Sequence, residues 1–397
     1  MKELIEDSEK YLMNTYKRYP VVLRKGRGCR VYDVRGKEYL DFVGGIAVNV
    51  LGHCHPRVVV ALQKQAQRLI HVSNLYHIEP QIGLARLLVE SSFADKVFFC
   101  NSGAEANEAA IKLARKYSRD HFGEGRYEII TALNSFHGRT MATITATGQK
   151  RFQEGFEPLL PGFRHVPFDD IKALSDSLDG RTCAVMLEPV QGEAGIRIPS
   201  GDYLKEVRRL CREREVLLIL DEVQTGIGRT GRLFAYEHYD IEPDIMTLAK
   251  GLGGGVPIGA MLAGDRVAAS FVPGTHASTF GGNPLAAKAA LATVETVLED
   301  GIILEECRRK GGYFLGKLYA LKEEFSGVIA DIRGMGLMIG LELTRDCSSI
   351  VDACLERGVL INCTAGNTIR FTPPLIVTEQ EIDTVVDILE DIFWRLS

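Results

Sequence analysis

Hydrophobic spacing changes period repeatedly along this chain. In residues 57–69 and 80–90 apolar positions recur at helical intervals, with Ile82, Leu84, Ala85, Leu87 and Leu88 largely on one side of the second stretch. From there onward short apolar runs alternate with helical segments, at 96–100, 127–132, 183–188, 216–220, 244–249 and 258–263. Val216-Leu217-Leu218-Ile219-Leu220 carries no charge, as a strand buried on both faces requires. Such alternation predicts an α/β protein whose mainly parallel sheet is covered by helices on both sides. Residues 1–45 read differently, as a short helix followed by strands at 29–34 and 38–42 around the turn Arg35-Gly36-Lys37.

The pattern shifts again at Asn283-Pro284. Long helices are predicted at 285–300 and 305–324, then strands at 328–332 and 337–343, a helix at 348–357, strands at 359–361 and 368–371, and a final helix. The last opens on Thr378-Glu379-Gln380-Glu381, where Thr378 and Glu381 form a capping box. This reads as a smaller α+β unit joined without a low-complexity linker. The expected division is an N-terminal segment 1–45 belonging to the small domain, a large domain 46–284 and a C-terminal small domain 285–397.

Composition narrows the function classes. A length of 397 residues with 46% apolar and 25% charged residues is that of an ordinary globular protein with a substantial core. The net charge of −5 and the absence of a basic block give no reason to expect nucleic acid or a membrane as partner. The mixed charges at Met1-Lys2-Glu3-Leu4 exclude a secretory h-region, so a cytoplasmic location is expected. Nine cysteines lack CxxC spacing and read as buried, reduced thiols. No metal is expected, since Pro56 makes His53-Cys54-His55 a helix start.

Chemistry gathers where strands end. Asp221 closes one buried run and Lys250 the next, followed by Gly251-Leu252-Gly253-Gly254-Gly255. A strand-end carboxylate and lysine suit pyridoxal-phosphate chemistry, the lysine as Schiff-base amine and the carboxylate as partner of the pyridine nitrogen. Asn101-Ser102-Gly103-Ala104-Glu105 turns from a strand into a helix, which makes either an anion site or a plain Ser102 cap. Phe136 and Arg139 in Phe136-His137-Gly138-Arg139-Thr140 sit at a strand's carboxyl end, where an aromatic can stack and an arginine can hold a carboxylate. Glu188 and Glu193 lie on the rim after another strand, Ser278 and Thr279 precede a glycine turn, and Arg370 lies on an edge-like strand before Pro373-Pro374. Each feature alone has a plainer structural reading.

In this order they resemble the class III (omega) aminotransferases, fold type I pyridoxal-phosphate enzymes, and within them the acetylornithine aminotransferases. The resemblance extends from Gly44-Gly45-Ile46-Ala47-Val48-Asn49 through to Asn367 and Leu375. It implies a large domain with a mainly parallel seven-stranded sheet between helices and a small α+β domain built from both chain ends. It further implies that Lys250 binds pyridoxal 5′-phosphate covalently and then shuttles the proton, while Asp221 pairs with the ring nitrogen. Val223 and Phe136 would cover the ring faces and Gln224 would reach the phenolic oxygen, with Glu222 counted in the same cofactor-binding run. Ser102, Gly103 and Ala104 would cradle the phosphate. Thr279, and Ser278 for substrate, would come from the second subunit of a homodimer with shared active sites.

For substrate, the resemblance implies that Arg139 holds the donor's α-carboxylate and later the distal carboxylate of 2-oxoglutarate. Arg370 would take the α-carboxylate of 2-oxoglutarate and be masked by Glu193 while the donor reacts. Tyr16 matches a tyrosine that contacts substrate in such relatives. Ile46 stands where animal-type ornithine aminotransferases carry an aromatic, which favours an acylated donor. Ala104 replaces a frequent Thr and Ala277 a usual Gly. The implied reaction moves the δ-amino group of N2-acetylornithine to 2-oxoglutarate, within arginine biosynthesis. Ornithine, succinylornithine, 4-aminobutyrate and acyl-lysine are the alternative donors. An aminomutase of glutamate-1-semialdehyde type and a non-enzymatic coenzyme-binding protein are the readings from other classes.

Overall fold

The structure, a computed structural model, describes residues 1–395. Near the N-terminus β1 (Leu23–Arg27), β2 (Arg30–Asp33) and β3 (Glu38–Asp41) pair antiparallel in succession. The uncharged runs then supply β4 (Lys96–Cys100), β5 (Glu128–Ala132), β6 (Phe163–Val166), β7 (Thr182–Leu187), β8 (Leu217–Asp221), β9 (Ile245–Leu248) and β10 (Gly259–Ala263). These form one seven-stranded sheet in the order β4-β10-β9-β8-β7-β5-β6. All its pairings are parallel except those of β10, which runs antiparallel to both neighbours. Every residue of β5, β7, β8, β9 and β10 is buried, which explains their lack of alternation.

β6 is the one strand of this sheet that periodicity does not reveal. It sits at the sheet edge, and its Arg164 and His165 break the apolar run.

The C-terminal strands are β11 (Ile329–Met335), β12 (Met338–Leu343), β13 (Val359–Leu360), β14 (Asn362–Thr364) and β15 (Thr368–Phe371). β11-β12-β15-β14 make an antiparallel sheet, and β13 joins β3 in parallel, so strands from near both ends of the chain share a sheet. The helices Ile302–Glu324 and Glu379–Trp394 pack on one another, the first also against β11. Thr378 and Glu381 cap the latter reciprocally, at 3.0 and 3.2 Å.

The cysteines correct the expectation of reduced thiols throughout. Cys347 and Cys363 form a disulfide with Cα atoms 5.8 Å apart, while the other seven are free and all but Cys54 buried. The helix Ser348–Glu356 returns the chain so that its N-cap residue meets β14, a contact with no signature in the spacing. No helix among the described residues is long and apolar enough to cross a membrane.

Candidate active site

Parallel strands release their carboxyl ends on one edge of a sheet, and ligands of such sheets bind there. β8 and β9 are neighbours with Asp221 opposite Thr247, so Asp221 and the residues just beyond Leu248 emerge together. Lys250 opens a 3-10 turn, Lys250–Gly253, with a left-handed φ of 43°. Asp221 and Lys250 both line a cavity of about 440 Å³, together with Ser102, Gly103, Ala104, Phe136, Val223 and Gln224. Burial pushes the Lys250 amine below its ordinary pKa, with Glu193 opposing the shift. Among the described residues that amine has no hydrogen-bond or ion-pair partner within the protein.

Asp221 is held by three donors. Its Oδ2 accepts from Asn107 Nδ2 and His137 Nδ1, both at 2.8 Å, and its Oδ1 accepts from the Val223 amide at 3.1 Å. Thr247 fixes the Asn107 amide by donating to its Oδ1 at 2.7 Å, leaving Asn107 Nδ2 to bridge Asp221 and the His137 carbonyl. Burial works against a charged His137, but the bond and charge of Asp221 outweigh it and raise the imidazole's pKa. The result is a rigid, buried carboxylate at the floor of the cavity. His137 and Asn107 are supports of Asp221 that the sequence pattern alone does not assign. The available signal is position, since His137 directly follows Phe136 and Asn107 lies one turn beyond Gly103.

The start of the helix Gly103–Phe122 also lines the cavity. Ser102 Oγ accepts from the Glu105 amide at 3.2 Å, and Glu105 Oε2 accepts from the Asn101 amide at 2.8 Å. Capping in this way leaves the amides of Gly103 and Ala104, the first two of the helix Gly103–Phe122, without intrahelical partners. These amides at a positive helix end suit a phosphate. Gly103 is required sterically, because a Cβ there would stand 2.7 Å from Val223 Cγ1. Gly138, at φ 138°, packs as closely on Thr143 and Ala104. With an anion cradle, flat apolar walls, a fixed carboxylate and a free amine, the cavity fits the phosphorylated pyridine that the resemblance implies.

The residues expected to handle carboxylates lie alongside. Arg370 in β15 is 1% exposed and donates from Nη1 to Glu193 Oε1 at 2.5 Å and to Gln224 Oε1 at 3.2 Å. Burial alone would raise the Glu193 carboxyl, but the Arg370 charge and hydrogen bond hold it below its usual range. Glu188 lines the cavity and accepts from the amides of Phe136 and Gly192 at 3.1 and 3.3 Å. Burial raises its carboxyl to about 7. Arg139 is exposed at the cavity wall, with its guanidinium 3.9 Å from the Phe152 ring centroid and 5.6 Å from that of Phe136.

Other residues singled out in the sequence fall elsewhere. Glu222 turns away from the cavity, accepting from Ala235 and Tyr236 amides at 2.7 and 2.8 Å and from the Thr225 hydroxyl at 2.8 Å. Its place on the strand side opposite Asp221 makes it a support of the following turn, not a cofactor ligand. Tyr16 and Ile46 line a separate cavity of about 1050 Å³ with Asn362. Ser278 Oγ accepts from Asn101 Nδ2 at 3.2 Å, beside the anion cradle, while Thr279 is exposed.

Comparison with known proteins gives one consistent result. The model of the family described as aminotransferase class-III matches residues 11–393. The acetylornithine aminotransferase of Caldanaerobacter subterraneus subsp. tengcongensis is 58% identical over 390 residues, spanning 98% of each chain. The crystal structure of the ornithine aminotransferase from Toxoplasma gondii ME49 superposes with a TM-score of 0.96 at 36% identity, covering 100% of this chain and 95% of that one. The acetylornithine aminotransferase of Elizabethkingia anophelis gives a TM-score of 0.89 at 37% identity, with 99% of each chain covered.

Proposed function

This chain belongs to the class-III aminotransferases, and from that premise we propose that it moves the δ-amino group of N2-acetyl-L-ornithine to 2-oxoglutarate, giving N-acetyl-L-glutamate 5-semialdehyde and L-glutamate. That reaction is a step of arginine biosynthesis. The observation that carries the reaction class is the free Lys250 amine facing a cavity floored by Asp221. Support for the donor comes from the 58% identity over 98% of the chain to an acetylornithine aminotransferase.

Pyridoxal 5′-phosphate, when bound, supplies the electron sink that lets a proton leave the amine-bearing carbon. The chain's residues do the rest. Lys250 anchors the coenzyme through Nζ and then carries the proton on that same atom. Asp221, fixed by Asn107 and His137, keeps the ring nitrogen protonated. The Gly103 and Ala104 amides would hold the phosphate, Val223 and Phe136 would wall the ring, and Gln224, which lines the same cavity and accepts from Arg370, would serve its phenolic oxygen. Arg139, at the mouth, takes one carboxylate of each substrate in turn as a bidentate partner. Arg370 takes the second carboxylate of 2-oxoglutarate once Glu193 moves aside, so residues 285–397 bring the selective arginine to a cofactor-binding unit spanning 46–284, and residues 1–45 complete the small unit.

A homodimer completes this reading, with Thr279 reaching the phosphate of the second copy. Ile70, Leu75, Tyr76 and Phe280 are exposed, and two contacts merge their segments into one apolar face. Asn74 Nδ2 donates to Ser278 O at 3.0 Å, and His71 lies with its ring centroid 5.0 Å from that of Phe280. Such a face is what an obligate interface needs. The proposed setting is the cytoplasm.

A coupled assay over acetylornithine, succinylornithine, ornithine, 4-aminobutyrate and acyl-lysine donors tests the assignment. Preference for free ornithine or 4-aminobutyrate overturns the donor. Turnover without 2-oxoglutarate would instead indicate an aminomutase, a reaction with no second substrate for Arg370 to admit.

A further inference from the structure

β14 lies at the end of its sheet, paired on one side to β15 and touching both members of the Glu193–Arg370 pair. Thr364 Oγ1 donates to the main-chain oxygen of Glu193 at 2.7 Å. Asn362 Oδ1 accepts from Arg370 Nε at 3.4 Å, the two residues standing opposite one another in the ladder. Cys363, between them, is bonded to Cys347, which is buried immediately before the helix Ser348–Glu356. The loop carrying Glu193 is fastened at its far end by Arg333, whose Nε donates to Ile196 O at 2.8 Å. Next to the gate the loop is held by Thr364 at Glu193 itself and by the Gly192 amide, which donates to Glu188 Oε1 at 3.3 Å, one residue before it.

We propose that β14 positions the Glu193–Arg370 pair, through Thr364 and Asn362, and that the Cys347–Cys363 cross-link determines how firmly it does so. This rests on the reading that the pair gates a carboxylate of 2-oxoglutarate. A strand of three residues with one neighbour has few bonds of its own, so a covalent tether from a buried helix start matters to its position. Reduction by a dithiol breaks the S–S bond. Two electrons and two protons pass from the dithiol, which becomes its own cyclic disulfide, and two protein thiols result. Cys363 is half-buried, so a small reductant can reach it. The ladder still pairs Asn362 with Arg370 and Thr364 with Thr368, but without the tether the strand is held on that one side alone, so the Thr364 side-chain contact loosens and Glu193 leaves Arg370 more readily.

The test uses holoenzyme and glutarate, a dicarboxylate that cannot react. Thr364→Val is expected to tighten glutarate binding, measured by calorimetry, by about threefold or more, the worth of one modest hydrogen bond. The same factor should appear in the KM for the keto-acid acceptor and not in kcat, and Thr364→Ser should restore both values. Dithiothreitol should shift the untreated enzyme in the same direction and leave Cys347→Ser, already shifted, unaffected. Equal glutarate affinity in Thr364→Val, reduced and untreated enzyme would overturn the proposal while active turnover preserved the gate reading. Peptide mass mapping that finds Cys363 as a free thiol in the untreated enzyme overturns the tether. Absence of transamination by the untreated enzyme would sink the functional reading itself.

Discussion

Arg370 and Glu193 form an ion pair at 2.5 Å in which the arginine side chain is 1% exposed and the carboxylate 25%. A buried guanidinium left without its carboxylate is costly, whereas a carboxylate with solvent on one side can leave. That asymmetry favours Glu193 as the moving partner in the proposed exchange. Glu193→Ala is therefore expected to lose about 3 kcal/mol of stability by urea unfolding at pH 7, since Gln224 and Asn362 are neutral substitutes. It should also lower the KM for the keto-acid acceptor and admit donors that wild type rejects. The folded-state pKa of Glu193 is depressed, so its contribution is present above the unfolded carboxylate pKa and is lost as pH falls through the folded value. Unchanged stability and unchanged donor selectivity in this variant would contradict the masking role.

The elements that the sequence displayed are those whose burial is uniform. β8 and β15 lie within one residue of where the apolar runs place them, because every residue of each is buried and hydrophobicity there is set by both faces of a strand. β6 and β14 were hidden because each is an edge strand whose polar residues serve local contacts, Arg164 with Glu128 and Asn362 with Arg370. In the site, Asp221 and Lys250 were legible because each closes an apolar run. The support behind Asp221 was not legible, since Asn107, His137 and Thr247 come from three separate elements and meet only in the fold. Glu222 shows the reverse error, a residue adjacent in sequence to the site but facing away from it.

Asp221→Asn keeps the side chain's shape and removes its charge. To retain the bonds from Asn107 and His137 the amide must place its oxygen where Oδ2 lies, which turns its NH2 against the Val223 amide. Loss of the fixed negative charge is expected to cost at least about 100-fold in the rate of the donor half-reaction, followed in a single turnover by absorbance. His137→Gln should cost less, because Asn107 still holds the carboxylate. Equal losses in the two variants would mean that the carboxylate is effective only with the imidazole bonded to it, and that Asn107 alone does not hold it in place.

Lys250 combines a pKa lowered by burial with a position on the cavity wall, so its amine gives up its proton more readily than an ordinary lysine and faces the space where a carbonyl would bind. Purified enzyme is expected to be yellow, with the colour resistant to dialysis. In Lys250→Ala the covalent attachment and the proton carrier are both lost. Transamination should fall by about a thousandfold or more, and the chromophore should dialyse away. A small primary amine added to the variant should recover part of the rate by entering the vacated space. Full activity in Lys250→Ala, without added amine, would remove the lysine from the mechanism.

Glu222 offers a test that does not involve substrate. Burial raises its carboxyl to about 7, although the Ala235 and Tyr236 amides and the Thr225 hydroxyl favour the charged form. An acid whose folded pKa exceeds its unfolded one binds more protons when folded. Its stabilising contribution is complete below the unfolded pKa, near 4.5, and is lost as pH rises through about 7. The shift corresponds to about 3 kcal/mol between those limits, and Glu188, raised by the same cause, acts in the same direction. Urea unfolding of the holoenzyme at pH 5 and pH 8 should therefore show a lower midpoint at the higher pH. Glu222→Gln should be less stable at both, because its NH2 faces donors, yet should lose a large part of the difference between them. A variant that keeps the full difference would place the pH sensitivity in other groups, Glu188 first among them.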